Sequence, residues 1–307
     1  MRVKVLGDPD EPWRATLNEC VGRAQVSSHA DGDCLLLWEQ KITDAISTIE
    51  ADSGLRWVHT RNTGIPTPLL EACEQRGLTL TNGSGAHANA VGEYVACAVL
   101  SLFKRMPDLA AAQRTRSWRP EIAVRELRGR TAGIIGLGQV GRACARMLKP
   151  FGVELIGFSR SGTVVPEVDV VHSSDELSSV LPSLDVLIIA APLTASTYGL
   201  IGRAELALLP PTAVVVNVGR GEVLDEGALV AALDGGTIAG AALDVFTVEP
   251  LPPDSPLWTA PNLIISPHSI DETPETTERG LRIFCDNLDR WIRREPLSNV
   301  VRANLGY

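Results

Sequence analysis

Three polar residues follow apolar runs of the kind that form buried strands. Arg220 follows A-V-V-V-N-V-G, Glu249 follows A-A-L-D-V-F-T-V, and His268 follows N-L-I-I-S-P. An arginine offers a planar fork of donors that matches a carboxylate. A glutamate beside a histidine favours the protonated imidazole and fixes its tautomer, which makes a general acid near neutral pH. The trio therefore suits reduction of a carbonyl group next to a carboxylate, and the alternative interpretation is a buried ion cluster.

A glycine-rich motif precedes this trio in the chain. G-L-G-Q-V-G at residues 136–141 follows the strand-like run A-G-I-I-G and opens a helical pattern at 142–149. In such a motif Gly136 makes a tight turn, Gly138 lets the backbone approach a pyrophosphate, and Gly141 lets helix and strand pack closely. Backbone N–H groups at the start of the helix attract the anion. The context predicts a dinucleotide site that includes Gln139 and Val140, with a plain βα turn as the alternative.

The residues after the next predicted strand bear on which nicotinamide coenzyme is used. A carboxylate at the end of that strand would bind the ribose 2′-hydroxyl of NAD. The sequence instead places Ser159, Arg160 and Ser161 there, and Glu154 stands at the beginning of the strand. Hydroxyl groups and a guanidinium favour a 2′-phosphate, so we predict NADP (NADPH) in preference to NAD. The alternative is that Arg160 is a surface cation that stacks on the adenine.

The elements that position these residues alternate between strand and helix patterns, which predicts an α/β fold. Predicted strands of the first part are 3–6, 34–37, 57–58 and 78–80, with helices around 41–51 and 67–76. The second part has predicted strands at 132–136, 154–158, 186–190, 213–218, 238–243 and 263–265. We expect two Rossmann-like domains with doubly wound parallel sheets and an active-site cleft between them. The predicted substrate-binding domain is 1–88 with 275–307, and the predicted dinucleotide-binding domain is 89–274.

A helical pattern at 89–106 is apolar nearly all round. Such a helix is expected to be buried between domains or between subunits. It predicts a homodimer, and an interdomain position would explain the pattern equally well.

Composition and charge exclude several classes of function. The net charge is -9 and the arginines are scattered, which argues against nucleic-acid or anionic-membrane partners. The six cysteines show no C-x-x-C pair and no metal-ligand spacing, so we expect no metal and a reducing compartment. The N-terminus lacks the apolar region of an export signal, and the apolar runs are too short to span a bilayer. A cytoplasmic location is expected.

Ordered motifs between residues 85 and 285 resemble those of the D-isomer-specific 2-hydroxyacid dehydrogenase family. They are G-L-G-Q-V-G, A-P-L-T-A-S-T-Y-G-L-I, N-V-G-R-G-E-V-L-D-E-G-A-L, A-L-D-V-F-T-V-E-P-L-P and S-P-H-S. The resemblance implies catalytic roles for Arg220, Glu249 and His268. It also implies that Asp244 holds the nicotinamide carboxamide and that the remaining coenzyme contacts come from Ala191, Pro192, Thr197, Val218 and Gly219. The substrate carboxylate would be held by a first-domain loop that here contains Asn62, Thr63 and Gly64.

Departures from the family pattern concern the substrate pocket. Arg61 and Asn62 replace the small residues usual in that loop, His87 stands where many relatives have Asn, and S-I-D-E-T follows His268 in place of an Ala-Gly pair. The leading hypothesis is an NADPH-dependent 2-oxoacid reductase, with glyoxylate or hydroxypyruvate as substrate. Formate dehydrogenase is disfavoured because it does not use this glutamate, and phosphoglycerate dehydrogenase with a regulatory tail is disfavoured by length. The rival from another class is a nucleotide-sensing, corepressor-like binding protein on the same fold.

Overall fold

The computed structural model describes residues 2–7, 10, 13–25, 33–38, 41–160 and 162–301. The chain divides into two compact units. The first unit is Met1–His87 with Glu272–Tyr307, and the second is Ala88–Asp271. Within the described ranges, no helix combines the length and the apolar character that crossing a membrane requires.

The first unit is a parallel sheet covered by helices. Its four described strands pair in the order in which they occur along the chain, all parallel. The elements are β1 (Val3–Leu6), α1 (Trp13–Gln25), β2 (Asp33–Leu37), α2 (Ile42–Ala51), β3 (Leu55–Thr60), α3 (Thr67–Gln75) and β4 (Thr79–Asn82). The sequence prediction missed α1, in which Leu17 and Cys20 are the buried hydrophobic residues among those described.

The last helix, α10 (Pro274–Arg293), completes the core of this first unit. The Trp57 ring is fully buried and stacks on Phe284 and on Trp291, each at 5.6 Å between ring centroids. Leu281 and Leu288 join the same cluster. The apolar positions of α10 recur at helical spacing because they form the one face that this core covers.

The second unit contains the larger parallel sheet. Its described strands are β5 (Thr131–Ile135), β6 (Glu154–Ser159), β7 (Val170–Ser173), β8 (Val186–Ile189), β9 (Val214–Asn217), β10 (Gly240–Leu243) and β11 (Leu263–Ile265). They pair in the order β11-β10-β9-β8-β5-β6-β7, all parallel. The chain order reverses between β5 and β8, and in such sheets ligands bind beyond the carboxyl ends of the strands at that point. The two parallel sheets confirm the predicted α/β class with Rossmann-like units.

The prediction of six strands in this unit was wrong by one, because it missed β7. That strand is only four residues long and lies at the sheet edge, where none of its residues is fully buried. An edge strand of this kind lacks the continuous apolar run that marks a buried parallel strand. The helices of this unit are α4 (Ala88–Phe103), α5 (Met106–Arg114), α6 (Gln139–Leu148), α7 (Leu177–Val180), α8 (Arg203–Leu208) and α9 (Glu226–Asp234).

The apolar helix predicted at 89–106 is α4, and it ends earlier, at Phe103. Pro107 lacks an N–H group and its ring would clash with the carbonyl of Phe103 in a continued helix, so the chain restarts as α5. Val95 and Val99 of α4 are fully buried in the core of this unit, and Gly92 lies close enough to α6 that an added Cβ would be 3.1 Å from the Ala143 carbonyl. Packing inside the second unit therefore accounts for the burial of α4.

Candidate active site

The turn between β5 and α6 has the geometry of an anion-binding site. Gly136 adopts a φ of 94°, and a Cβ there would be 2.8 Å from the Cα of Ala191. A Cβ on Gly141 would be 1.9 Å from the carbonyl oxygen of Gly136. A Cβ on Gly138, by contrast, would meet no atom of the described residues within 4 Å apart from its neighbours in the chain. Two of the glycines are therefore required by the fold itself, whereas the third leaves open space at the start of the helix.

The first turn of α6 offers donors to that open space. No side chain caps the N-terminus of this helix at Gly138. The N–H groups of the first helical residues, Gln139 and Val140, have no acceptor within the helix because no earlier turn exists. Uncapped donors at a helix N-terminus attract an anion such as a pyrophosphate. The residues present fit the phosphates of a dinucleotide.

The end of β6 lies beside this turn, since the Gly136 N–H donates to the Phe158 carbonyl at 3.0 Å. Ser159 is the last residue of β6, and its hydroxyl is buried without a hydrogen-bond partner among the described residues. Arg160 follows it with an exposed side chain, whereas Glu154 stands at the opposite end of the strand. Ser161 lies outside the described residues. A buried hydroxyl without a partner fits a site that a ligand completes.

The loop after β8 folds on itself next to the same edge of the sheet. Thr197 donates its hydroxyl to the Pro192 carbonyl at 2.7 Å and accepts the Thr194 N–H at 2.8 Å. Ala191 is buried, and a Cβ on Gly219 would be 2.6 Å from its carbonyl oxygen. This contact brings the segments that follow β8 and β9 together.

Close packing explains why Arg220 stands between two glycines. Gly219 packs against Ala191, and a Cβ on Gly221 would be 2.0 Å from the carbonyl carbon of Phe246. A side chain at either glycine would push the neighbouring backbone away. The Arg220 guanidinium donates to the Gly219 carbonyl at 2.7 Å. Arg220 is thus presented on a backbone segment that two adjacent loops hold in place.

Asn217 also holds the backbone segment that carries Arg220. The sequence analysis did not identify Asn217 as a site residue. Its side-chain amide donates to the Arg220 carbonyl at 3.0 Å and accepts the Gly219 N–H at 3.1 Å. It is nearly fully buried at the end of β9. The signal that could have found it is a single amide within the apolar run A-V-V-V-N-V, because a buried polar side chain needs partners.

Glu249 and His268 form a direct hydrogen-bonded pair. The His268 Nδ1–H donates to Glu249 Oε2 at 2.8 Å, since a carboxylate only accepts. The other carboxylate oxygen, Oε1, accepts the Phe246 N–H at 2.9 Å. His268 itself has a left-handed backbone with φ of 51°, which is uncommon for a residue other than glycine. The pair fixes the histidine tautomer and leaves Nε2 to hold a proton.

The loop that carries Glu249 has a second support. Glu226, the first residue of α9, accepts the Thr247 N–H at 2.6 Å through Oε1. Nothing in the local sequence pattern distinguishes this glutamate from an ordinary acidic residue in a first helical turn. The sequence analysis accordingly missed it.

The structure brings the predicted catalytic residues to one pocket of the second unit. The pocket has a volume of about 230 Å³, which suits a small molecule. It is lined by Arg220, Gly221, Glu222, Val245, Phe246, Thr247, Glu249 and His268. Among the described residues, no cluster of three histidine, cysteine, aspartate or glutamate side chains is arranged to hold a metal ion.

Asp244 lies after β10, next to the histidine segment. It is 3% exposed, and its Oδ1 accepts the Ser266 hydroxyl at 2.7 Å and the Ser269 N–H at 3.3 Å. Burial raises the pKa of this carboxyl group, and the two hydrogen bonds oppose the effect. Val218 is positioned by its N–H, which donates to the Ile189 carbonyl at 3.0 Å.

The predicted substrate loop lies in the first unit, where it follows β3. The Asn82 side chain donates to the Thr63 carbonyl at 2.9 Å, and the Gly83 N–H donates to the Asn62 carbonyl at 3.3 Å. Asn62, Thr63 and Gly64 are exposed, whereas Arg61 is half-buried. The Arg61 guanidinium lies over the Trp38 ring, 5.4 Å from its centroid. The loop is therefore tied down at its carbonyl groups.

The other histidines differ from His268 in their surroundings. Burial lowers the pKa of His59 to about 3, so this side chain remains neutral and cannot serve as an acid near pH 7. His172 interacts with Glu176 at 3.1 Å on the surface. His29 lies outside the described residues.

Comparison with known proteins agrees with the geometry. Residues 96–269 match the family model described as D-isomer specific 2-hydroxyacid dehydrogenase, NAD binding domain. The chain is 35% identical to a glyoxylate reductase of Aeropyrum pernix over 82% of this chain and 77% of that protein. It is 33% identical to a glyoxylate reductase of Thermofilum pendens over 84% of this chain and 78% of that protein.

A solved structure covers almost the whole chain. The D-isomer specific 2-hydroxyacid dehydrogenase of Xanthobacter autotrophicus Py2, solved in complex with NADPH and MES, superimposes with a TM-score of 0.83 at 28% identity. The match covers 99% of each chain.

The fold, the glycine-rich turn and the pocket define an NAD(P)-dependent oxidoreductase. This chain belongs to the D-isomer specific 2-hydroxyacid dehydrogenase family. The resemblance inferred from its motifs is confirmed. The relatives named above are reductases and dehydrogenases, so the corepressor-like alternative is not favoured.

Proposed function

We propose that this chain is an NADPH-dependent reductase that converts a small 2-oxoacid, such as glyoxylate or hydroxypyruvate, to the D-2-hydroxy acid. The observation that carries the proposal is the convergence of Arg220, Glu249 and His268 on one small pocket, with His268 hydrogen-bonded to Glu249. The similarity to glyoxylate reductases supports a small substrate.

The chemistry divides between the coenzyme and the side chains. When bound, the reduced nicotinamide supplies a hydride to the carbonyl carbon of the substrate. His268 donates the proton at Nε2 to the carbonyl oxygen, which becomes the hydroxyl of the product. Glu249 stabilises the charged imidazole before transfer and keeps Nε2 aimed at the pocket. His268 is left neutral and takes its next proton from solvent.

Arg220 would bind the substrate carboxylate and polarise the carbonyl group. Its guanidinium is a planar donor set on a backbone that Gly219, Gly221 and Asn217 hold in place. Charge that develops on the carbonyl oxygen would meet a preorganised cation, which lowers the barrier more than a mobile side chain could. The N–H groups of Asn62, Thr63 and Gly64 are the second proposed contact of the carboxylate.

The coenzyme preference rests on the end of β6. Among the described residues, the Ser159 hydroxyl has no hydrogen-bond partner, and it would bind a 2′-phosphate together with the guanidinium of Arg160. The sequence at that strand end, F-S-R-S-G, contains no carboxylate to bind the 2′-hydroxyl of NADH. NADPH in the similar Xanthobacter structure supports this choice. Arg160→Ala should raise KM for NADPH about tenfold or more and leave KM for NADH nearly unchanged. Equal effects on both coenzymes would count against the phosphate contact.

A panel of 2-oxoacids assayed with NADPH and NADH tests the function directly. We expect turnover of the smallest members of the panel with NADPH. In His268→Ala, kcat should fall about a hundredfold or more, because a positioned acid contributes on that scale, while coenzyme affinity is retained. His172→Ala is the matched control and should keep full activity, since His172 pairs with Glu176 on the edge strand β7 and is not among the residues that line the pocket. Absence of turnover with every oxoacid, despite tight NADPH binding, would contradict the reductase.

The proposed assembly is a homodimer in the cytoplasm. With α4 accounted for inside the second unit, the support for a dimer comes from α5 and the segment after it. Met106, Leu109 and Val124 are exposed there, and Trp118 is 94% exposed. Apolar side chains clustered on a surface mark an interaction site. Light scattering should give twice the mass of a 32.8 kDa chain, and Trp118→Ser should lower it.

A further inference from the structure

Two hydroxyl groups and one carboxyl group from separate elements meet next to the segment that carries His268. Tyr94 lies on α4, Ser266 follows β11, and Asp244 follows β10. The Tyr94 and Ser266 hydroxyl oxygens are 2.8 Å apart, and Ser266 Oγ is 2.7 Å from Asp244 Oδ1. All three residues belong to the second unit.

The chemistry of the groups sets the direction of these hydrogen bonds. An ionised carboxylate only accepts, so the single proton of the Ser266 hydroxyl is donated to Asp244 Oδ1. The Ser266 oxygen can then only accept from Tyr94, whose phenol proton must be the donor. Successive bonds in one direction polarise each other, so a Tyr94 bond strengthens the bond that Ser266 makes to the carboxylate.

The buried carboxylate of Asp244 needs hydrogen-bond donors to remain ionised. Asp244 is 3% exposed, and burial of a carboxylate disfavours its charged form. Asp271 adds a like charge that raises the Asp244 pKa, whereas His268 and the donors from Ser266 and Ser269 lower it. Burial also raises the pKa of Tyr94, which therefore remains a protonated donor throughout the neutral range.

We propose that Tyr94 is a positioning residue for the coenzyme, because through Ser266 it keeps Asp244 ionised and oriented to accept the nicotinamide carboxamide N–H. The inference rests on the proposed function, in which Asp244 contacts that group. Tyr94 itself touches neither substrate nor coenzyme in this scheme.

The test uses Tyr94→Phe, Ser266→Ala and the double variant in the full chain. Tyr94→Phe removes one hydroxyl and keeps the ring that packs in the core. NADPH affinity, measured by fluorescence titration, should fall about three- to tenfold in each single variant, the effect of one net hydrogen bond. The double variant should be no weaker than Ser266→Ala alone, because Tyr94 acts only through Ser266. KM for the oxoacid should not change.

The pH dependence of coenzyme binding separates positioning from a purely structural role. The ionised Asp244 is a stronger acceptor for the carboxamide N–H than the protonated form, so affinity falls at acid pH as Asp244 takes up a proton. Weaker donors favour the protonated form, and the acid midpoint of NADPH binding should move to higher pH in Tyr94→Phe. Tyr198→Phe is the matched control, because that side chain is 72% exposed, and it should leave affinity and midpoint unchanged.

Three outcomes would overturn the inference while the reductase proposal stands. The first is additive losses in the double variant, and the second is an unchanged midpoint in Tyr94→Phe. NADPH binding that is unaffected by Asp244→Asn would also overturn it, because the carboxylate would then have no role for Tyr94 to support. If the unaltered chain binds neither coenzyme, both proposals fail together.

Discussion

Alanine substitutions at Gly141 and Gly138 should have opposite consequences, although the two glycines belong to one motif. At Gly141 the added Cβ would be 1.9 Å from the Gly136 carbonyl oxygen, and ordinary contact begins at 3.4 Å. The backbone of the turn or of α6 must therefore move. At Gly138 the Cβ would enter space that, apart from its chain neighbours, contains no atom of the described residues within 4 Å.

The magnitudes of two opposing effects decide whether Gly141→Ala raises or lowers the free energy of unfolding. Replacing glycine by alanine inside a helix stabilises it by up to about 1 kcal/mol. Forcing an extra group into a close-packed site costs about 1 to 3 kcal/mol, and more where the neighbour is backbone. We expect the cost of the clash to exceed the gain in helix propensity, so Gly141→Ala should lower the free energy of unfolding. Gly138 caps α6, where alanine is a slightly poorer residue, so Gly138→Ala should cost at most about 1 kcal/mol.

The expected effect on coenzyme binding is largest for Gly138→Ala, the variant whose stability changes least. Gly138→Ala fills the space that a pyrophosphate would occupy at the start of α6, and NADPH affinity should fall at least about tenfold in a protein that remains stable. Urea denaturation and fluorescence titration on the same samples give both quantities. A Gly141→Ala protein more stable than the parent, or unchanged NADPH affinity in Gly138→Ala, would refute the reasoning.

Further predictions concern the two units separately. Asn82→Ala releases the Thr63 carbonyl, and KM for the oxoacid should rise about three- to tenfold at constant coenzyme affinity; equal losses of both would argue against positioning. Glu249→Gln keeps an acceptor but removes the charge beside His268, so kcat should fall about tenfold or more, though less than in His268→Ala. An unchanged kcat would show that the charge is dispensable. Burial lowers the pKa of His59 to about 3 from 6.5, so between these values the unfolded chain binds a proton that the folded chain does not. As pH falls through this window, the free energy of unfolding should drop by up to about 1.4 kcal/mol per pH unit more than in His59→Gln; parallel curves would contradict this.

The fold class could be predicted because buried parallel strands require continuous apolar runs. The strands β8 and β9 are V-L-I-I and V-V-V-N, fully buried along their length, and the sequence marks both clearly. The strand β7 has no such run because it lies at the edge of its sheet. The break between α4 and α5 could have been predicted from Pro107. The prediction instead followed the apolar pattern before Pro107 and extended the helix to residue 106.

The candidate site also contains residues that the sequence predicts and residues that it does not. Arg220, Glu249 and His268 could be identified because each follows a strand that the sequence marks, and parallel strands end at the same edge. Their supports were harder to find. A single amide within an apolar run is the signal that marks Asn217, whereas Glu226 acts through a hydrogen bond to a loop that is distant in the chain. Such partners are set by tertiary packing, which no local pattern encodes.

The division of the first unit between both ends of the chain affects how the protein is made. The core around Trp57 is built mostly from the first part of the chain, yet it closes only when Phe284 and Leu288 of α10 arrive. On the ribosome, the contiguous second unit can therefore complete its sheet while the first still exposes aromatic surface to chaperones or to aggregation. Loss of the last helix would leave the newly made protein in that vulnerable state permanently.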